Sequence, residues 1–176
     1  MALSKIQSES MNLADTFAFT GTVSGAGVSG KVLQVKMGIS DEKFATSNTT
    51  FTTSTSGTKL KVEITPSASD SDILVLVQGT VQTAQYTRDA GLDIARTING
   101  TTTNNISGTT YGLLRYYMGG TTIGVVQGSI SYLDSPTTTS AIIYEPSLRY
   151  GGGNTPGAEF GENGWLQTII AMEISA

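Results

Sequence analysis

The sequence lacks two side chains on which many enzyme and metal sites depend, because it contains neither cysteine nor histidine. Without cysteine the chain has no disulfide framework and no thiolate nucleophile. Without histidine it has neither the commonest general base nor the commonest transition-metal ligand. We therefore expect a protein that is not an enzyme and that uses no metal and no cofactor.

Charge is also scarce. Charged residues make up 14% of the chain, against about 25% in an average domain. The net charge is −4, and only 10 residues are lysine or arginine, so the clustered positive charge that neutralises phosphates is missing and we expect no nucleic-acid partner. No stretch has the 18 or so consecutive apolar residues of a membrane span, and the start MALSKIQSESMN lacks the apolar core of a signal peptide. We expect no membrane insertion.

Serine and threonine supply roughly a quarter of the chain, and mean hydropathy is close to zero. Abundant threonine, valine and isoleucine with little charge is typical of β-structure. Alternating apolar and polar residues recur from Lys31 onward and predict eight to ten strands with glycine- and threonine-rich turns. The closing strand is apolar, as expected of an interior strand, which favours an all-β, jelly-roll-like antiparallel sandwich over residues 31–176. The apolar residues of that strand are Ile169, Ile170, Met172 and Ile174.

Several segments carry specific expectations. In 31–39 the side chains Leu33, Val35, Met37 and Ile39 share one face. The continuous apolar run 73–83 predicts a central strand that is buried on both faces. Asn99-Gly100 predicts a tight turn. The stretch SISYLDSPTTTSAIIYEPSLRY, at 129–150, predicts a β-hairpin, and DEKFATS, at 41–47, allows one helical turn.

Residues 1–30 differ from the rest of the chain and form a separate region. Within MNLADTFAFTGTV, residues 11–23, the larger apolar side chains all occupy odd positions, which predicts an extended segment with one apolar face. They are Met11, Leu13, Phe17, Phe19 and Val23. Residues 24–30, SGAGVSG, then predict a flexible hinge. The segment is either a first strand of the same sheet or an arm that docks on a neighbouring subunit or a larger assembly.

The acidic pairs Asp41/Glu42, Asp70/Asp72 and Glu159/Glu162 are expected in turns, where carboxylates cap backbone amides, and not in a catalytic cleft. Aromatic side chains beside glycine-rich loops are the candidates for ligand binding, because tyrosine and tryptophan often carry recognition. The alternative is that they plug the ends of the sandwich. The candidates are Tyr116, Tyr117, Tyr150, Phe160 and Trp165.

Five stretches in order carry a resemblance to a known family: LADTFAFTGTV, KVLQVKMGISDEKFATSNTTFTTS, LKVEITPSASDSDILVLVQG, SISYLDSPTTTSAIIYEPSLRY and IIAMEISA. Together they resemble short fibre-type virion proteins and tail-fibre tip domains of tailed, cyanophage-like bacteriophages. The resemblance implies a homotrimeric β-sandwich in the virion, with an N-terminal segment that attaches to other virion proteins. It implies no receptor-contacting residues.

These observations predict a structural virion protein of a tailed bacteriophage, specifically a trimeric tail-fibre component that meets a host surface glycan or protein receptor. A capsid decoration or head-fibre protein is the alternative within the same class. A stand-alone carbohydrate-binding sandwich, with the loop aromatics as a stacking platform, is the alternative from another class.

Overall fold

The computed structural model describes residues 30–54, 60–83, 89–117, 125–151, 157–162 and 164–176. Within these ranges the chain forms eleven β-strands and no helix, so nothing described there could cross a membrane as a helix. The strands are β1 (Val32–Ser40), β2 (Phe44–Thr46), β3 (Val62–Ile64), β4 (Asp72–Thr83), β5 (Asp89–Ile98), β6 (Thr101–Thr103), β7 (Leu114–Tyr117), β8 (Val125–Asp134), β9 (Ile142–Tyr150), β10 (Ala158–Phe160) and β11 (Gln167–Ile174).

The first sheet has four positions, each filled by one strand or by two strands end to end. β4 lies in the interior and pairs antiparallel with β8 on one side and with β11 and β10 on the other. β1 pairs with β11, and β2 continues the same edge by pairing with β10. The short interruptions between β1 and β2 and between β10 and β11 lie side by side, since Gly164 N donates to Asp41 O at 3.1 Å.

The second sheet also has four positions. β5 and β9 form its centre over an antiparallel register that runs from Ala90↔Tyr150 to Ile98↔Ile142. β3 pairs with β9 at one edge, and β6 and β7 both pair with β5 at the other. β5 and β6 form a two-residue hairpin through Asn99 and Gly100, with φ values of 50° and 78°, so the predicted turn is confirmed.

The chain alternates between these two four-position layers, which is the organisation of a jelly roll. β1 and β2 lie in the first sheet, β3 in the second, β4 in the first and β5 to β7 in the second. The path then returns to the first sheet for β8, crosses again for β9 and ends in the first with β10 and β11. The predicted all-β sandwich is confirmed, as is the interior position of the closing strand, because β11 lies between β1 and β4.

The hairpin predicted at 129–150 is wrong. β8 pairs with β4 in the first sheet, whereas β9 pairs with β5 and β3 in the second. Residues 135–141 therefore cross from one layer to the other. Period-two alternation shows that each strand has one apolar face, but it does not tell whether consecutive strands share a sheet.

The single helical turn allowed at 41–47 is also wrong, because Phe44–Thr46 forms β2. Pairing with β10 overrides the weak local preference, and Phe44 packs at the margin of the core.

The core lies between the two sheets and is built from the inward side chains of both. Its largest fully buried members include Tyr144, Tyr150, Phe160, Leu92 and Ile169. Leu60, Val62 and Ile64 are buried while Lys61 and Glu63 are exposed, as their alternation predicts. In β4 the odd residues from Ile73 to Val77 are fully buried, but the even residues Leu74 and Leu76 are only half-buried. The prediction that this strand is buried on both faces therefore holds for residues 79–83, which are all buried, and fails for residues 73–78, where one face is buried.

Candidate assembly interface

The outer face of the first sheet carries a continuous apolar surface, which we call the apolar face. The register places its side chains on neighbouring strands with the same orientation, because directly opposed residues of antiparallel strands share a face. The apolar face comprises Val32, Val35, Met37 and Ile39 of β1, Ile170, Met172 and Ile174 of β11, Leu74 and Leu76 of β4, and Leu133 of β8.

Two rows of opposed residues cross this sheet and form the centre of the apolar face. In the first row Met37 opposes Ile170, and Ile170 opposes Leu76. In the second row Val35 opposes Met172, which opposes Leu74, and Leu74 opposes Leu133 at the far edge. The second row is apolar across four strands, whereas the first is apolar across three and ends at Ser131 of β8, which opposes Leu76.

The apolar face is strongly exposed where it meets the sheet edges. Met37 is 64% exposed, Ile39 58%, Val35 55% and Leu133 52%. Scattered surface hydrophobics are ordinary, whereas a contiguous patch of this extent marks an interaction site. At the outward positions of the described strands around this patch, Asp72 is the one charged residue, and it lies at the border, where Ser135 Oγ donates to it at 2.5 Å.

The outer face of the second sheet is polar and is covered by the protein itself. Residues 104–113 fold back over β5, and Ile106 N donates to Ile94 O at 3.1 Å. The hydroxyl and the amide of Ser107 both donate to Asp93, whose side chain is fully buried. Burial raises the pKa of Asp93, and the hydrogen bonds from Ser107 and from Ile94 N offset that rise only in part.

Cations and aromatic rings add a second polar cluster on that same face. The Arg115 guanidinium lies 4.0 Å from the centre of the Tyr111 ring, and the Arg149 guanidinium lies 5.1 Å from it. Arg115 Nε also donates to Asp89 Oδ2 at 2.7 Å. The two outer faces thus differ in kind: one is polar and covered by a loop of its own chain, whereas the other carries the apolar face, which none of the described residues covers.

The outer face of the first sheet becomes polar from the row of Thr168, Gln78 and Ser129 toward its opposite end, around β2 and β10. Lys43 Nζ lies 3.2 Å from Glu159 Oε1, and the Gln82 side-chain amide donates to the carboxylates of both Glu159 and Glu162. Glu159 lies within β10 and Asp72 begins β4, so the expectation that every acidic pair lies in turns is wrong for these two residues. Within the described ranges, no three acidic side chains converge on a position that could hold a metal ion.

Two of the aromatic candidates are core residues. Tyr150 is fully buried and Phe160 is 1% exposed. A Cβ placed on Gly157 would overlap the Tyr150 ring, and one placed on Gly79 would collide with the Phe160 ring. These glycines let the backbone approach the rings closely, and neither ring offers a free face to a ligand.

The other aromatic candidates lie on different sheets. Trp165 is 60% exposed in the interruption between β10 and β11 on the first sheet. Tyr117 is 59% exposed on β7 of the second sheet, while Tyr116 is half-buried against the core. The structure therefore does not bring the candidates together into one platform. The arm residues Met11, Leu13, Phe17, Phe19 and Val23 lie outside the described residues.

An open depression of about 490 Å³ lies on the second sheet beside the loop 104–113. Its lining is mostly threonine and asparagine, with Phe51 and Arg149 as the larger side chains. Arg149 is already engaged there, because its guanidinium donates to Thr110 O and stacks near Tyr111. The alternation in 31–39 correctly predicted a shared face for Val35, Met37 and Ile39, but a bulge at Leu33 places Val32 opposite Ile174 in its stead. The apolar face as a whole depends on non-local pairing and was not predicted.

No family model matches this chain, and no curated protein matches it. Among solved structures, a chain in the structure of the infectious bursal disease virus Gt strain is similar over 93% of this chain, with 15% identity and a TM-score of 0.42. This chain covers 44% of the length of that neighbour. A likeness of this degree carries no inference about function.

Proposed function

We propose that this protein is a structural subunit of a virion that acts by assembling and not by catalysing a reaction. Within that class we propose a tail-fibre component of a tailed bacteriophage, built as a homotrimer that faces the host surface. The observation that carries the proposal is the apolar face. The ordered sequence motifs that resemble phage fibre proteins support the finer assignment to a tail fibre.

Burial of the apolar face would stabilise an assembly substantially. Fully burying a valine, leucine, isoleucine or methionine side chain contributes roughly 1.5–3 kcal/mol. Ten such side chains, several of them already half-buried, can offset an association cost estimated at about 4–15 kcal/mol. The apolar face is therefore extensive enough to hold copies together without the ion pairs that salt would screen.

A closed ring of identical copies would bury the apolar face of every copy. If the apolar faces of three copies turn toward a common axis, the polar second sheets face outward, with the loop 104–113 and Tyr117 on the solvent side. Cyclic symmetry closes such an assembly and leaves no copy with an open face. In this arrangement the outward loops are the part that would meet a host glycan or protein receptor.

Two alternatives use other features of the same molecule. A capsid decoration or head-fibre protein would use the apolar face for attachment to the particle. A stand-alone carbohydrate-binding sandwich would use an exposed aromatic ring, for which Trp165 and Tyr117 are the available side chains.

Native mass by light scattering tests the assembly. We expect the purified protein to have three times the mass of the 18.4 kDa chain. Met37→Asp places a charge within the apolar face on the edge strand β1 and should give a folded monomer, because Met37 is largely exposed within its own chain. Ser129→Asp is the matched control, since Ser129 opposes Gln78 on the same outer face beyond the apolar rows. A monomeric wild-type protein would contradict the proposal.

The position on the particle needs a second measurement. Mass spectrometry of purified virions should detect the protein, and gold-labelled antibody should mark tails. Label confined to heads would favour the decoration alternative, and a protein missing from virions would overturn the virion assignment. A signal on a glycan array that Trp165→Ala removes, from a monomeric protein, would favour the carbohydrate-binding alternative.

A further inference from the structure

The apolar face begins where the N-terminal part of the chain joins the sandwich. Gly30 N donates to Ser175 O at 2.9 Å, and Ser175 N donates to Lys31 O at 2.9 Å. These bonds fix the entry point beside Val32 and Ile174, which oppose each other at one end of the apolar face. Whatever residues 1–29 do, they start from one end of this surface.

The chain outside the described structure contains a segment whose chemistry matches the apolar face. In residues 11–23 the large apolar side chains fall on odd positions, and Asp15 is the one charge in the segment's sequence. When extended, a segment with this period has one apolar side. No described residue covers the apolar face of the first sheet, and the apolar side of the segment would be shielded from water by packing on it.

The length of the segment allows it to reach a neighbouring copy. The segment 11–23 spans more positions than Val32 to Ile39, which mark the length of the apolar face along β1. Extended chains rise by nearly the same distance per residue, so the extended segment is longer than the apolar face. An arm of this length can pass the end of its own subunit and lie on the face of the next one.

We propose that residues 11–23 of one copy lie across the apolar face of a neighbouring copy, with residues 24–30 as the hinge. The proposal rests on the assembly proposed above and names its occupant at the interface. Phe17 and Phe19 supply the largest contacts, and they pack on the row of Val35, Met172 and Leu74. If each copy places its arm on a neighbouring copy in this way, the arm stabilises the assembly itself.

Photo-crosslinking in the full chain tests the contact. The photoreactive residue benzoylphenylalanine at position 17 should crosslink to peptides that contain Met37, Met172 or Leu74, in species that run as dimers or larger on a denaturing gel. The same residue at position 18, on the opposite side of the extended segment, is the control and should crosslink at least tenfold less to those peptides. Crosslinks from position 17 that avoid these peptides overturn the proposal.

A native-mass measurement separates failure of this inference from failure of the proposed function. Phe17→Asp/Phe19→Asp should weaken assembly and remove the crosslink, whereas Thr16→Asp/Thr20→Asp, on the other side of the segment, should do neither. An oligomer that keeps its mass without any arm crosslink would mean that faces of two copies meet directly, so the assembly stands and the arm proposal fails. A monomer with crosslinks only within one chain would mean that the arm covers its own face, which overturns both.

Discussion

The hydroxyl of Tyr144 donates a hydrogen bond to Asp134 Oδ2 across 2.7 Å and so joins the two sheets of the sandwich, since Tyr144 lies on β9 and Asp134 ends β8. Arg96 Nη1, on β5, donates to Asp134 Oδ1 at the same distance of 2.7 Å. Burial, and then the neighbouring carboxylate, raise the pKa of Tyr144, so the phenol remains a donor throughout the physiological range. The link anchors β8 beside the point where the chain crosses between layers.

Removing this link should destabilise the fold in two graded steps. Tyr144→Phe deletes one donor and should lower the free energy of unfolding by about 1–2 kcal/mol, because Asp134 still has Arg96. Asp134→Ala leaves both the buried phenol and the guanidinium without their acceptor and should cost about 3 kcal/mol or more. Urea unfolding at fixed protein concentration measures both, with Tyr132→Phe on β8 as the control, expected within about 0.5 kcal/mol of wild type. Equal losses for the two variants would mean that Arg96 contributes nothing to this site.

Local signals in the sequence were enough to predict most strands, because alternation and turn residues act over a few positions. Asn99-Gly100 forms a hairpin turn since both residues tolerate positive φ, and this property is readable from residue type alone. The alternation in 60–64 also needs no distant partner to interpret. These elements were predicted correctly for the physical reasons given.

The same alternation could not predict which apolar face is covered. Val35 and Ile169 both occupy apolar positions of strands, yet Val35 is 55% exposed and Ile169 is fully buried. The difference arises because the second sheet packs on only one side of the first. The sequence of a single strand does not indicate which of its faces the other sheet will cover. The buried polar contacts were missed for a similar reason, since Glu173 and Ser67 are 106 positions apart in the chain.

Gly38 allows β1 to lie close to the segment before β3. A Cβ at this position would overlap Lys61 O, which is backbone and cannot move without separating the strands. Gly38→Ala should therefore destabilise the protein by about 1–3 kcal/mol, the usual cost of overpacking, or more. Gly128→Ala is the comparison, because its Cβ would meet a Val81 methyl group at 2.9 Å and Gly79 O only at 3.4 Å. Thermal unfolding should place the Gly38 variant well below the Gly128 variant, and the reverse order would contradict this account.

The β5–β6 turn depends on Gly100, whose φ of 78° is the left-handed conformation that side chains resist. Gly100→Val should cost about 1–2 kcal/mol in the free energy of unfolding, since valine is β-branched and strained there. Asn99→Gly should change stability little, because glycine adopts the φ of 50° at that position without strain. Urea unfolding of the two variants beside wild type checks both values, and a Gly100→Val protein as stable as wild type would show that the turn relaxes to another type.

The carboxylate of Glu173 makes the stability of the sandwich depend on pH. The residue is fully buried on β11, and Ser67 donates to its Oε1 from both N and Oγ at 2.6 Å, while Gln34 Nε2 donates to Oε2 at 2.6 Å. Burial alone would raise the pKa of Glu173, but these hydrogen bonds outweigh it and lower the pKa from 4.5 to about 2. The carboxylate therefore links β11 to the segment after β3 and to β1.

Because the folded pKa of Glu173 lies below its unfolded value, the stabilisation from the carboxylate is complete above about pH 4.5 and is lost as the pH falls toward about 2. Glu173→Gln keeps the shape and removes the charge, so it should destabilise the protein at pH 7 and differ much less from wild type near pH 2. Urea midpoints measured at several pH values between 2 and 7 test this convergence. Glu63→Gln, at an exposed position of β3, is the control and should stay within about 0.5 kcal/mol of wild type at pH 7. A gap between Glu173→Gln and wild type that is constant with pH would show that the amide fails for steric reasons and that the charge of Glu173 contributes nothing.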